Sequence, residues 1–341
     1  MNQSTPATPR SEPDVDRSAP LNPSEIFPFP LDDFQLEAMD ALNQGHSVVV
    51  SAPTGSGKTL IGEYAIHRAL AHGQKVFYTT PLKALSNQKL RDFRDQFGAE
   101  NVGLMTGDLS VNREASIVVM TTEIFRNMLY AEADEHDDPL ADVEAVVLDE
   151  CHYMNDSQRG TVWEESIIHC PPTVQLVALS ATVANAGQLT DWIEKVHGPT
   201  TLVMSDHRPV PLQFSFCSAK GLHPLLNEAG TGLHPNCKVW RAPKGHKRKG
   251  RSQRSPQPEP PPISFVVAQM AERQMLPAIY FIFSRRGCDK AVRDLGVQCL
   301  VTQEEQARIK ERLTAYSHDN PEAVRDGICL LYTSPSPRDN T

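Results

Sequence analysis

No run of apolar residues in this 341-residue sequence approaches the roughly 18 to 20 needed to cross a bilayer. The opening MNQSTPATPRSEPDVDRSAP has no hydrophobic centre of the kind a secretory leader carries, so the expected location is the cytoplasm, with no membrane partner. The seven cysteines (Cys151, Cys170, Cys217, Cys237, Cys288, Cys299, Cys329) include no C-x-x-C pair and total an odd number. That pattern argues against a disulfide framework or a zinc knuckle and for reduced thiols. Positive charge is also in short supply. A formal net charge of −9 excludes bulk electrostatic holding of nucleic acid and leaves only local contacts.

What is present reads as an α/β protein. The length allows two domains, and 40% hydrophobic residues is enough to fill their cores. Residues 1–25, rich in Ser, Pro and charge, are expected to be disordered. Residues 26–216 alternate helical stretches with the apolar runs SVVVS, KVFYT, SIVVM, EAVVLD and VQLVALS. Such runs suit strands covered on both faces. Between the first two lies TLIGEYAIHRALAHG, with Leu60, Ile61, Tyr64, Ala65 and Leu70 on one helical face and Gly73 as its stop. This β-α-β spacing implies a doubly wound parallel sheet.

The acidic AEADEHDD (131–138) reads as a solvated loop. Residues 217–262 form a connecting segment that ends in a basic, proline-rich stretch carrying Arg241, Lys244, Lys247, Arg248, Lys249, Arg251 and Arg254. It is either a solvated linker or a contact for phosphates. From 263 to 328 the α/β pattern restarts with the helix-like ISFVVAQMAERQM, the apolar AIYFIF and a polar helical stretch. The ending 329–341 reads as read-through sequence or a disordered tail.

Chemistry gathers at two places. The run VVLDECHYMN drives an apolar strand into two adjacent carboxylates, which repel each other unless a cation lies between them. The run APTGSGKT, residues Ala52, Pro53, Thr54, Gly55, Ser56, Gly57, Lys58 and Thr59, follows a strand and opens a helix, as a phosphate-binding loop does. Its glycines let consecutive N–H groups face one anion, Lys58 reaches the β- and γ-phosphates, and the Thr59 hydroxyl holds Mg²⁺. Asp149 then holds the same Mg²⁺ of a bound ATP, and Glu150 orients and deprotonates the attacking water. Cys151 reads as a passive small side chain.

With APTGSGKT and DECH together, the chain resembles the DExH-box helicases of superfamily two, and among them the superkiller-type branch. The resemblance covers roughly residues 27–216 and implies a RecA-like first domain followed by an incomplete second one. It implies that Phe29 stacks on adenine and that Gln35 reads the base edge. It also makes Ser180, Ala181 and Thr182 couple hydrolysis to unwinding through His152. TTPLKALSNQK and TTEIFRNML are similar to the family's strand-gripping motifs, which assigns nucleic-acid contacts to Pro81, Lys83, Ser86, Asn87, Thr121, Thr122 and Glu123. Spacing alone reads Lys83 and Lys89 equally as helix-surface charges. RGTVWEE (Arg159 to Glu165) is a further superkiller-type feature. FSRRGCD resembles the opening motif of the second domain.

The implied activity is ATP-driven translocation and unwinding on single-stranded or partly duplex RNA or DNA, with ATP and Mg²⁺ as cofactors and no oligomer indicated. Two rivals stay open: a P-loop ATPase that remodels complexes without unwinding, and a non-catalytic nucleotide-gated binding module. The arginine-bearing late motifs of the family are not found. An arginine finger is worth about 10³ to 10⁵ in rate, so weak hydrolysis is expected of this chain by itself.

Overall fold

The computed structural model describes residues 20–130, 139–240, 260–295 and 301–319. The acidic cluster 131–138, the basic run 241–259 and the terminal 329–341 lie outside the described residues. The chain divides into two units between Pro211 and Leu212.

The first unit opens with α1 (Pro23–Ile26) and α2 (Asp33–Asn43), then alternates β1 (Ser47–Ser51), α3 (Thr59–His72), β2 (Lys75–Thr80), α4 (Lys83–Phe97), β3 (Val102–Met105), β4 (Ser110–Val111), β5 (Ile117–Thr121), α5 (Thr122–Tyr130), β6 (Val143–Leu148), α6 (Gly160–His169), β7 (Gln175–Ser180), α7 (Ala186–Val196) and β8 (Thr200–Met204). The eight strands form one sheet in the order β4-β3-β5-β2-β6-β7-β1-β8, parallel throughout except for β4. This is the doubly wound sheet that the β-α-β spacing implies, in the RecA-like form that the resemblance implies.

Every residue of β1, β5 and β6 is buried, because helices cover both faces. Alternate positions feed two cores. Val48, Val50, Tyr78 and Val147 pack with Met39 of α2, Ile61 of α3 and Phe93 of α4. Val49, Phe77, Val146 and Leu176 pack with Phe125 of α5, Trp163 of α6 and Ile193 of α7.

Several sequence expectations need correction. The tail ends sooner than residue 25: Asn22 caps α1 by accepting the Ser24 N–H at 3.1 Å, and the Tyr64 hydroxyl donates to Leu21 O at 2.7 Å. The α3 stripe is rotated from the one read in sequence. Leu60 and Leu70 are only half-buried, while Gly62, Ile66 and Ala69 join Ile61, Tyr64 and Ala65 against the sheet. Gly73 does end the helix, with φ of 71°.

The second unit holds β9 (Ser215–Ser218) and β10 (Gly221–Pro224), an antiparallel pair, and the helices α8 (Ile263–Glu272), α9 (Arg285–Leu295) and α10 (Gln303–Asp319). Among its described residues from 260 onward no strand forms. Among the described residues the run AIYFIF pairs with no strand, and it leaves Ile279, Phe281 and Phe283 in solvent. The apolar composition is strand-like, but a strand forms only against a neighbour.

Candidate active site

In the sheet order, β5, β2, β6, β7 and β1 are consecutive and parallel. Their carboxyl ends therefore line one edge, where open α/β sheets build ligand sites. Each strand delivers one of the segments singled out by sequence. Ala52–Thr59 follows β1, Ser180–Thr182 ends β7, Asp149–His152 follows β6, Thr79–Lys89 ends β2 and Thr121–Leu129 ends β5. Strands lie about 4.8 Å apart, so β1 and β6, separated by β7, stand about 10 Å apart. A triphosphate with its metal spans that gap.

The loop after β1 takes its shape from Gly55 and Gly57, whose φ values of 85° and 83° are left-handed. Side chains with a Cβ pay roughly 1–2 kcal/mol there. Gln35 seats the loop from beneath. Its Nε2 donates to Gly57 O at 3.2 Å and Ser56 O at 3.4 Å, and its Oε1 accepts the Asp32 N–H at 2.9 Å. A Cβ on Gly57 would stand 2.6 Å from that amide nitrogen. Gln35 is thus buried and committed to the loop and to the start of α2, which differs from the adenine-reading role implied by the resemblance. Phe29 remains 47% exposed beside Phe27, with ring centroids 5.8 Å apart, and is open for stacking.

Lys58 Nζ donates to Ala52 O at 2.8 Å and Pro53 O at 3.0 Å. Burial pushes its ammonium below the ordinary lysine range, and the charges of Glu150 and Asp149 pull it back up. The lysine and the two acids are therefore near enough to feel one another's charge. The donors of the loop fit a polyphosphate. Among the described residues the buried hydroxyl of Ser56 has no partner, and the N–H groups of Gly55, Gly57 and Lys58 meet no protein acceptor. Thr59 stands half-buried at the start of α3. Among the described residues no group of three or more His, Cys, Asp or Glu could hold a metal. The available set, one hydroxyl and one carboxylate, suits Mg²⁺, which takes one or two protein oxygens and completes its shell with phosphates and water.

Asp149 is tightly held. Its Oδ1 accepts the Glu150 N–H at 2.9 Å, and its Oδ2 accepts the Tyr78 hydroxyl at 3.0 Å. Burial first, then the Asp149 charge, holds that phenol well above the ordinary range, so it stays a donor. Glu150 has a left-handed φ of 53°, a strained conformation for a residue with a side chain. His152 Nδ1 lies 3.4 Å from the Ala181 N–H and 3.3 Å from Glu150 Oε2. A neutral ring accepts from Ala181 and a protonated ring donates to Glu150, so His152 stands between the acid pair and the Ser180–Thr182 segment. Ser180 is buried, with its hydroxyl donating to Ala181 O at 2.9 Å, and Thr182 is exposed. The Cys151 thiol is fully buried and pushed up to about 12, in keeping with a passive role.

The residues assigned to strand gripping separate into two groups. Ser86 and Thr122 are fully buried and bonded to Thr80: Ser86 Oγ lies 2.7 Å from its hydroxyl, and Thr122 donates to its carbonyl at 3.3 Å. Thr121 is also buried. Ser86 and Thr122 thereby tie α4 and α5 to the end of β2, so these two hydroxyls are bonded within the protein. Asn87 and Lys83 are exposed, Lys83 in an ion pair with Asp108. Lys89 lies over the Tyr78 ring, 5.4 Å from its centroid.

Glu123 pairs with Arg159, whose guanidinium also donates to Pro81 O at 2.7 Å and lies over the Trp163 ring. The sequence flagged the Arg159 segment without a role; in the fold this one arginine ties the ends of β2 and β5 together. Arg159→Ala is expected to lower stability by about 1–2 kcal/mol, since it frees a carbonyl and a carboxylate that are part-buried. Arg159→Lys should recover less than half of that, because the ammonium lacks the fork. Urea unfolding at constant slope reads both values.

A glycine loop, a strand-end acid pair and a histidine between that pair and the Ser180–Thr182 segment, set along one edge of a doubly wound sheet, are the marks of a helicase domain. Residues 32–189 match the family described as DEAD/DEAH box helicase. That stretch of the chain, residues 32–189, is a helicase domain of that family. It is similar to a DExH-box ATP-dependent RNA helicase, DExH15 chloroplastic, of Arabidopsis thaliana, 43% identical over 88% of this chain and 29% of the relative. It is also similar to a probable helicase, HelY, of Mycobacterium tuberculosis, 46% identical over 84% of this chain and 33% of that protein. Among solved structures, the Mycobacterium smegmatis helicase Lhr bound to ssDNA and AMP-PNP shares the fold, with a TM-score of 0.51 and 20% identity over 86% of this chain and 39% of that one. The chain thus spans about a third of the length of the curated relatives it matches.

Proposed function

We propose that this chain is the ATP-binding motor portion of a nucleic-acid-dependent helicase that moves along single-stranded or partly duplex RNA or DNA. The observation that carries the reading is the consecutive placement of five strand ends, which sets the loop, the acid pair, the coupling segment and two further segments along one edge. Lys58 and the loop N–H groups bind and orient the β- and γ-phosphates of ATP. Thr59 and Asp149 would hold Mg²⁺, which neutralises phosphate charge when bound. Glu150 positions a water and takes its proton. His152, in reach of both Glu150 and Ala181, reports the state of the acid pair to Ser180–Thr182. Contacts to the strand fall to exposed groups such as Asn87 and Lys83, which touch backbone and not base edges, so binding is insensitive to base sequence.

The test is nucleotide binding. Lys58→Ala is expected to weaken a fluorescent ATP analogue about 10²-fold or more, since each charge-assisted bond is worth about 1.5–3 kcal/mol. Its effect on folding should be small, because Lys58 bonds only to carbonyls of its own loop. Unchanged affinity in a folded Lys58→Ala chain contradicts the reading. Strand displacement by a longer protein carrying this domain separates unwinding from remodelling.

A further inference from the structure

The Tyr78 ring is confined on three sides. Phe93 of α4 meets it edge-on at 4.9 Å and 74°, and the Lys89 ammonium lies 5.4 Å from its centroid. On the third side α3 passes so close that a Cβ on Gly62 would stand 3.0 Å from the ring's Cε2. Gly62 lies in the first turn of α3, and the lack of a side chain there makes room for this ring. The ring is wholly buried, and its hydroxyl ends 3.0 Å from Asp149 Oδ2. A core-filling role asks for no hydroxyl at this position, since phenylalanine would fill the same volume without a polar atom to satisfy. With Glu150 N–H on Oδ1, each carboxylate oxygen has one protein donor and keeps its remaining lone pairs for another partner.

The geometry points to Tyr78 as a positioning residue for Asp149: its hydroxyl fixes the carboxylate so that the free lone pairs meet the metal of a metal–nucleotide complex. This rests on the reading of the cleft under Proposed function. Nothing in the β2 sequence distinguishes this tyrosine from the apolar residues around it. The assignment comes from the hydrogen bond and from the glycine opposite.

The test uses the full chain and one fluorescent ATP analogue, titrated in Mg²⁺ and again in EDTA. The ratio of the two affinities reads the metal linkage. Tyr78→Phe is expected to lower that ratio about 10- to 100-fold, as loss of an outer partner of a metal ligand does, and to leave the EDTA affinity unchanged. In an Asp149→Asn background, Tyr78→Phe should lower it no further. Gly62→Ala keeps the hydroxyl and crowds the ring, and should lower the ratio as well. If Asp149→Asn abolishes the linkage while Tyr78→Phe and Gly62→Ala leave it intact, Tyr78 is only a core residue and the inference is overturned. If the unaltered chain binds the analogue equally in Mg²⁺ and EDTA, the reading of the cleft itself fails and takes this inference with it.

Discussion

Glu150→Gln is expected to lower single-turnover ATP hydrolysis by about 10²- to 10⁴-fold, the usual contribution of a general base, and to leave Mg²⁺-dependent nucleotide binding in place. Glu150 follows the metal-type carboxylate Asp149, and its left-handed backbone is held by the Tyr153 N–H donating to its carbonyl at 3.0 Å. Glutamine keeps the size and a hydrogen bond to water but cannot accept a proton at neutral pH. The variant should therefore trap ATP. Asp149→Asn should behave differently, losing the metal-dependent part of binding first, because its carboxylate is held for the metal while Glu150 stays half-exposed beside His152. Equal turnover in Glu150→Gln and the unaltered chain would favour a nucleotide-gated binding module over an enzyme.

Trp163→Ala is expected to destabilise the first unit by about 3–5 kcal/mol, the usual cost of emptying a large aromatic site. Trp163 is fully buried on α6, stacks on Tyr153 with centroids 6.0 Å apart, and carries the Arg159 guanidinium on its face. Its loss opens a cavity directly behind the segment that holds Cys151 and Tyr153. Because total stability of a domain is about 5–15 kcal/mol, denaturant unfolding should show a much lower midpoint or no folded baseline. A shift below about 1 kcal/mol, the scale of an ordinary surface change, would mean that α6 is not the support described here.

The legible parts of this molecule are those whose physics is local. A phosphate loop needs glycines and a lysine within one turn, so Ala52–Thr59 is readable letter by letter, and so is an acid pair at a strand end. Strands buried on both faces announce themselves as unbroken apolar runs. What a strand delivers at its end is local; what its neighbours contribute is not. Tyr78 sits in KVFYTT as one more apolar residue, and only the pairing of β2 with β6 brings its hydroxyl to Asp149. Arg159 acts on Pro81 and Glu123, far off in sequence. Small hydroxyls serve phosphates and staples alike, and only the fold shows those of Ser86 and Thr122 buried and bonded within the protein. The short strands β3, with an internal glycine, and β4 carry too little periodicity to stand out. The run AIYFIF fails in the opposite sense, since its composition is that of a strand and it pairs with none among the described residues.

The central claim is that Lys58 and Asp149, brought to one edge by β1 and β6, act on one magnesium-bound triphosphate. A crystal structure with Mg²⁺ and a non-hydrolysable ATP analogue tests it most directly. The account predicts phosphates under the Gly55–Thr59 amides, Lys58 Nζ on the terminal phosphates, and Mg²⁺ about 2.1 Å from the Thr59 hydroxyl, with the Asp149 carboxylate on the metal directly or through one of its waters. A nucleotide bound elsewhere, or a metal with no contact to either residue, would contradict it.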